Sequence, residues 1–150
     1  MTLTALQSRL HDLVVTAPLL SGRPVLIEDK GNLVAELEAT LATQSLAVVV
    51  ALSSGETKEG ALPRRAAWNE TFEVVVHRGL LDSDEVPSTP AVLDELIPLL
   101  HGAAVDPEVE AEGKFACRRH ELRESGDGAY CRVLTVLVTH TRSSSPNSSS

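Results

Sequence analysis

Leu46-Ala47-Val48-Val49-Val50-Ala51-Leu52 is the stretch on which the fold turns. Its residues are all apolar and β-branched at the centre, in a run too short for a typical helix and suited to a strand with cover on both faces. Such a strand belongs inside a sheet. The next strand signal lies downstream, where Trp68, Phe72, Val74 and Val76 fall on one side of an alternating run and Asn69, Thr71, Glu73, Val75 and His77 on the other. These two segments are expected to pair antiparallel across a long polar connection, residues 53–66, which holds two glycines, a proline and several charges.

Upstream, Leu3, Leu6, Leu10, Leu13 and Val14 recur at helical spacing, and Thr4 with Gln7 matches a capping box, predicting an amphipathic helix over 4–16. Pro18 and Gly22 break it. Pro24 to Glu28 then reads as a short strand entering a turn at Asp29-Lys30-Gly31, with Asn32 as a candidate cap for a second helix. That helix carries Leu33, Leu37 and Leu41 on one stripe and ends near Gln44.

Beyond the acidic run Asp82-Ser83-Asp84-Glu85, Thr89 as N-cap and Pro90 as first helical residue predict a third helix with Val92, Leu93, Leu96, Leu99 and Leu100 on its apolar side. Gly102 ends it, and Pro98 interrupts its hydrogen bonding. Residues 114–122 and 129–140 read as a closing hairpin turned at Ser125-Gly126-Asp127-Gly128. The expectation is an α/β chain of the α+β kind, with a mainly antiparallel sheet packed against about three helices. Residues 1–140 form a single domain and 141–150 a serine-rich tail without apolar residues to order it.

Composition narrows the function. The 150 residues carry a net charge of -8 and only 3% aromatic residues, which disfavours phosphate backbones and leaves few rings for base stacking. The absence of a secretory signal pattern or a long apolar run points to synthesis in the cytoplasm, where Cys117 and Cys131 are read as buried, reduced thiols. His11, His77, His101, His120 and His140 sit at no metal-ligand spacing, and His101 near a helix end is read as favourable to the helix dipole. No paired carboxylates, phosphate loop or GxSxG elbow is present, so no catalytic, cofactor-binding or metal-binding residue is assigned.

Two features point to protein contacts. Val48-Val49-Val50, Val74-Val75-Val76 and Val133 to Val138 are apolar on both strand faces, and with three helices assigned to one face the other calls for a second layer or a neighbouring subunit. The doublets Arg64-Arg65 and Arg118-Arg119 are read as partners for acidic residues. Arg64, Arg65, Asp82, Asp84 and Glu85 are the candidate contact residues of an oligomer.

The order of elements resembles the small tail terminator, or tail-completion, proteins of tailed bacteriophages. The resemblance covers residues 1 to 140 and is carried by ALQSRLHDLV, by PVLIED before NLVAELEATLA, by LAVVVAL, by WNETFEVVVHRGLL and by LIPLLHG before the final hairpin. It implies a curved sheet backed by helices and a homohexameric ring in the virion, at the head-tail junction. Such a ring binds the tail tube and the head connector and stops tube polymerisation without chemistry. Pro98 and the serine-rich tail depart from the family's pattern. An assembly or secretion chaperone using one exposed surface is the alternative, followed by a small-molecule enzyme with a concave pocket.

Overall fold

A computed structural model describes residues 2–28, 33–57, 65–79, 85–108, 113–124 and 130–143, the side chains of 57, 65–67 and 140–143 excepted. In chain order the elements are α1 (Leu3–Val15), a 3-10 turn (Pro18–Leu20), β1 (Val25–Ile27), α2 (Leu33–Gln44), β2 (Leu46–Thr57), β3 (Arg65–Arg78), α3 (Thr89–Leu100), β4 (Ala116–Glu124) and β5 (Tyr130–Ser143). One open five-stranded sheet runs in the order β1-β2-β3-β5-β4. β1 pairs parallel with β2 and every other pair is antiparallel, so this is a mixed, mainly antiparallel α+β fold. LAVVVAL opens an interior strand, as expected. The middle position of the sheet belongs to β3.

The helices start differently from the sequence reading. Thr2, not Thr4, caps α1 by accepting from the Ala5 amide at 3.1 Å, which releases Gln7 to donate from Nε2 to the Val50 carbonyl. Ser88, not Thr89, caps α3 through the Ala91 amide, and Pro90 follows within the first turn where no amide is required. α3 continues through Pro98 to Leu100. The carbonyl deprived of a partner is that of Asp94, and both residues lie on the exposed side, where water can bond it.

Leu6, Leu10 and Val14 of α1 and Val92, Leu93, Leu96 and Leu100 of α3 are buried against one face of the sheet. The strands meet them with Leu46, Val48 and Val50 from β2, Phe72, Val74 and Val76 from β3, and Leu134, Val136 and Val138 from β5. Two polar staples hold the helices in place: Arg9 Nε donates to the Ala104 carbonyl at 3.1 Å and the Leu19 amide to Glu95 Oε1 at 2.8 Å. After α3, Ala103 to Val105 pairs back on Gly113 to Phe115 and seats Val105 and Phe115 in the core.

The helices do not all share that face. Ala47 and Val49 point away from the core yet are 1% and 5% exposed, and α2 is the helix packed on β1 and β2 there. This corrects the assignment of three helices to one side. α2 gives partial cover, since none of its residues is buried.

The connection expected over 53–66 is strand at both of its described ends, 53–57 and 65–66. β2 continues to Thr57, with a register shift between Leu52 and Ser54, and Ser54 to Thr57 pair with Trp68 to Thr71. Short polar residues have little strand propensity alone; the partner strand supplies the hydrogen bonds that hold them. Residues 58–64 lie outside the described residues. The hairpin strands also run further than expected, to Glu124 and from Tyr130 to Ser143, so 141–143 pair with Arg65 to Ala67.

Candidate interaction surfaces

On the face away from the core, alternation places Thr71, Glu73 and Val75 of β3 beside Val133, Thr135 and Leu137 of β5. Arg119, Glu121 and Arg123 of β4 lie next to them. Arg123 reaches across β5 to Glu73 at 3.0 Å and donates from Nε to Glu121 at 2.9 Å. Those bonds hold the Glu121 carboxyl below the usual range, and the arginine stays fully charged. Cys131 and Val133, the strand partners of Arg123 and Glu121, are 5% and 1% exposed there.

Toward the far end of this face β2, β3 and β5 run on past β4, which pairs only as far as Leu137. A groove of about 620 Å³ opens there, lined by Glu56, Asn69, Leu137 and Thr139, with Lys114 and Arg118 on the β4 side. Residues from four neighbouring strands line this one hollow. Thr139 donates to Asn69 Oδ1 at 2.7 Å across the floor. The walls carry opposite charges and an amide-bearing floor, a surface able to hold an extended polar chain.

The opposite end of β4 is different. His120, Leu122 and Glu124 lie on the helix side of the sheet, with Leu122 opposite Arg132 and Glu124 opposite Tyr130 on the neighbouring strand. Leu122 is 54% and Tyr130 53% exposed. Arg118 sits at a register shift between Cys117 and Arg119, and among the described residues neither Arg118 nor Arg119 makes an ion pair. Both arginines are exposed on an edge strand, and the acidic partners expected for them are not found among the described residues.

Of the contact candidates drawn from the sequence, Arg64, Asp82 and Asp84 lie outside the described residues. Arg65 opens β3 opposite Ser143, and Glu85 is exposed before α3, its carbonyl accepting from Arg23 Nη2 at 3.3 Å. Arg65 therefore sits at the far end of the strand extension and Glu85 at the base of α3. Lys114, Arg118 and Glu56 were not singled out as groove residues, because only the strand pairing brings them together. The one signal available was the Arg118-Arg119 doublet inside a strand.

As C-cap of α3, His101 accepts at Nδ1 from the Cys117 amide at 3.1 Å, so its ring joins the helix end to β4. Burial pushes the Cys117 thiol up to about 11 and raises that of Cys131. Both cysteines are free. Among the described residues no group of three His, Cys, Asp or Glu could hold a metal ion, and no helix is long and apolar enough to cross a membrane.

Comparison with known protein families and with curated proteins finds no match. Among solved structures, a protein of Akkermansia muciniphila determined without its transmembrane region aligns over 97% of this chain and 88% of its own, at 13% identity and a TM-score of 0.32. Overlap that weak defines neither fold family nor function.

Proposed function

We propose that this protein is a structural assembly component of a bacteriophage tail, a ring-forming terminator that caps the tail tube and presents a surface to the head connector. The observation that carries the reading is the layout: α1, β1, α2, β2, β3, α3, β4 and β5 in one open, mainly antiparallel sheet with helices, the order quoted for the resemblance from the sequence. Its partners are further copies of itself, six in the family's pattern, together with tube and connector proteins. The work is done by binding, without catalysis or cofactor, and the net charge of -8 suits a ring through which DNA slides without adhering. The site of action is the virion's head-tail junction, after synthesis in the host cytoplasm.

Electron microscopy of lysates from a phage deleted for this protein tests the reading. Tails of uncontrolled length that fail to join heads are expected. Tails of normal length attached to heads would overturn it and bring forward the chaperone reading, which the groove between Glu56 and Arg118 favours because it fits a single extended segment.

A further inference from the structure

We propose that the groove at the far end of the sheet holds an extended segment of a partner protein, laid across the strands with an acidic side chain at one end and a basic side chain at the other. Such a contact needs the groove alone and stands whether or not the chain caps a tail. Strand register sets out its parts. Glu56, Asn69 and Thr139 stand in one row across β2, β3 and β5 on the face away from the core, and Lys114 and Arg118 line the hollow from the β4 side, one strand further on. The adjoining row, Ser54, Thr71, Leu137 and Ala116, carries short side chains apart from the leucine, which leaves the surface low there.

The charges lining the groove are open to a ligand. Glu56, Lys114 and Arg118 are exposed, and among the described residues none of them makes an ion pair or a side-chain hydrogen bond. On the floor, Asn69 Oδ1 accepts from Thr139, so the Asn69 amide nitrogen remains as a donor suited to a main-chain carbonyl. Neighbouring strands lie about 4.8 Å apart, so the acidic wall on β2 and the basic wall beside β4 are separated by about 14 Å. An extended chain covers that distance in about four residues. A segment with acid and base at this spacing therefore meets both walls at once. A purely acidic segment would set a carboxylate against Glu56, and a purely basic one would set an amine against Lys114 and Arg118. A nucleic-acid strand would oppose phosphate to Glu56, and no aromatic ring lines the groove for a base to stack on.

Fluorescence polarisation of short labelled peptides titrated with the full chain tests this. The probes are Ser/Thr/Asn-rich peptides carrying one Glu and one Lys about four positions apart, the same two residues adjacent, two Glu at the wider spacing, or no charge. Wild type is expected to bind the spaced Glu/Lys peptide about tenfold more tightly than the other three, with the preference fading as salt is raised. Lys114→Glu/Arg118→Glu should lose that preference, and Glu56→Lys should transfer it to the peptide with two Glu. Both variants should melt at the wild-type temperature, since the three positions are exposed. No measurable binding, equal binding of all four peptides, tightest binding of the doubly acidic peptide by wild type, or a preference that survives both sets of changes would overturn the proposal. Tail morphology in phage lysates reports on termination alone, so normal tails beside a charge-spaced peptide site would sink the terminator and leave this contact standing.

Discussion

Glu70 on β3 lies directly opposite Gly55 on β2, and its carboxylate fills the space that a β-carbon at position 55 would occupy. Glu70 is 2% exposed, so the carboxylate cannot swing into water to make room. Glycine in a strand normally weakens it, and alanine would ordinarily be an improvement. Here Gly55→Ala should instead destabilise the protein by about 1–3 kcal/mol, the usual cost of overpacking. In a Glu70→Ala background that cost should largely vanish, measured by urea unfolding as a double-mutant cycle. Equal costs in both backgrounds would show that the carboxylate is not the obstacle.

Leu96 of α3 is fully buried between α1 and the sheet, whereas Val34 of α2 is 69% exposed. Leu96→Ala should cost about 2–5 kcal/mol, from lost transfer energy and the cavity left behind. Val34→Ala should stay within about 0.5 kcal/mol at a dilution where the chain is monomeric. Guanidinium titrations of both variants give the comparison, and a large loss at Val34 would mean that α2 is part of the main core.

Burial of His77 lowers its pKa from the ordinary 6.5 by disfavouring the charged ring. The folded chain therefore binds this proton less readily than the unfolded chain. Its contribution to stability is complete above pH 6.5 and is lost as pH falls through the lowered folded value. His77→Gln should remove that part of the acid sensitivity, so the thermal midpoints of the two proteins should converge as pH is lowered from 7 toward 5. Parallel curves would exclude His77 as the cause.

Cys117 and Cys131 both have thiols held protonated by burial, the first up to about 11. Native protein at pH 8 should react with Ellman's reagent much more slowly than unfolded protein, since the thiolate is the nucleophile. The raised value also gives the opposite pH dependence to His77: the stabilisation is present below the ordinary value of 9.0 and is lost as pH rises toward 11. Rapid labelling of both cysteines in the folded chain would contradict this burial.

Much of the fold was legible because apolar periodicity is a local signal. Leu6, Leu10 and Val14 declare a helix by their spacing, and the alternation from Trp68 to His77 declares which side of β3 meets the core. Ser53 to Thr57 were not legible as strand, since Ser-Ser-Gly-Glu-Thr has no pattern of its own and is held by its pairing with β3. The caps slipped by one or two residues because Thr2 and Thr4, or Ser88 and Thr89, are equally able to accept; where the helix begins was decided by packing of the following turn.

The interaction surfaces were less legible still. Glu56 and Arg118 are 62 positions apart and share a groove only because strands β2, β3, β5 and β4 are neighbours in that order. Sequence by itself determined the composition of the two sheet faces, the amphipathic helices and the exclusion of recognised metal and phosphate motifs, all of which depend on spacings within one element. The tertiary structure alone decided that α2 crosses to the other face, that β4 becomes an edge and that Arg123 on it reaches Glu73 two strands away. Those outcomes follow from strand order and from which neighbour removes water from a given side chain, and neither is encoded in any contiguous stretch of residues.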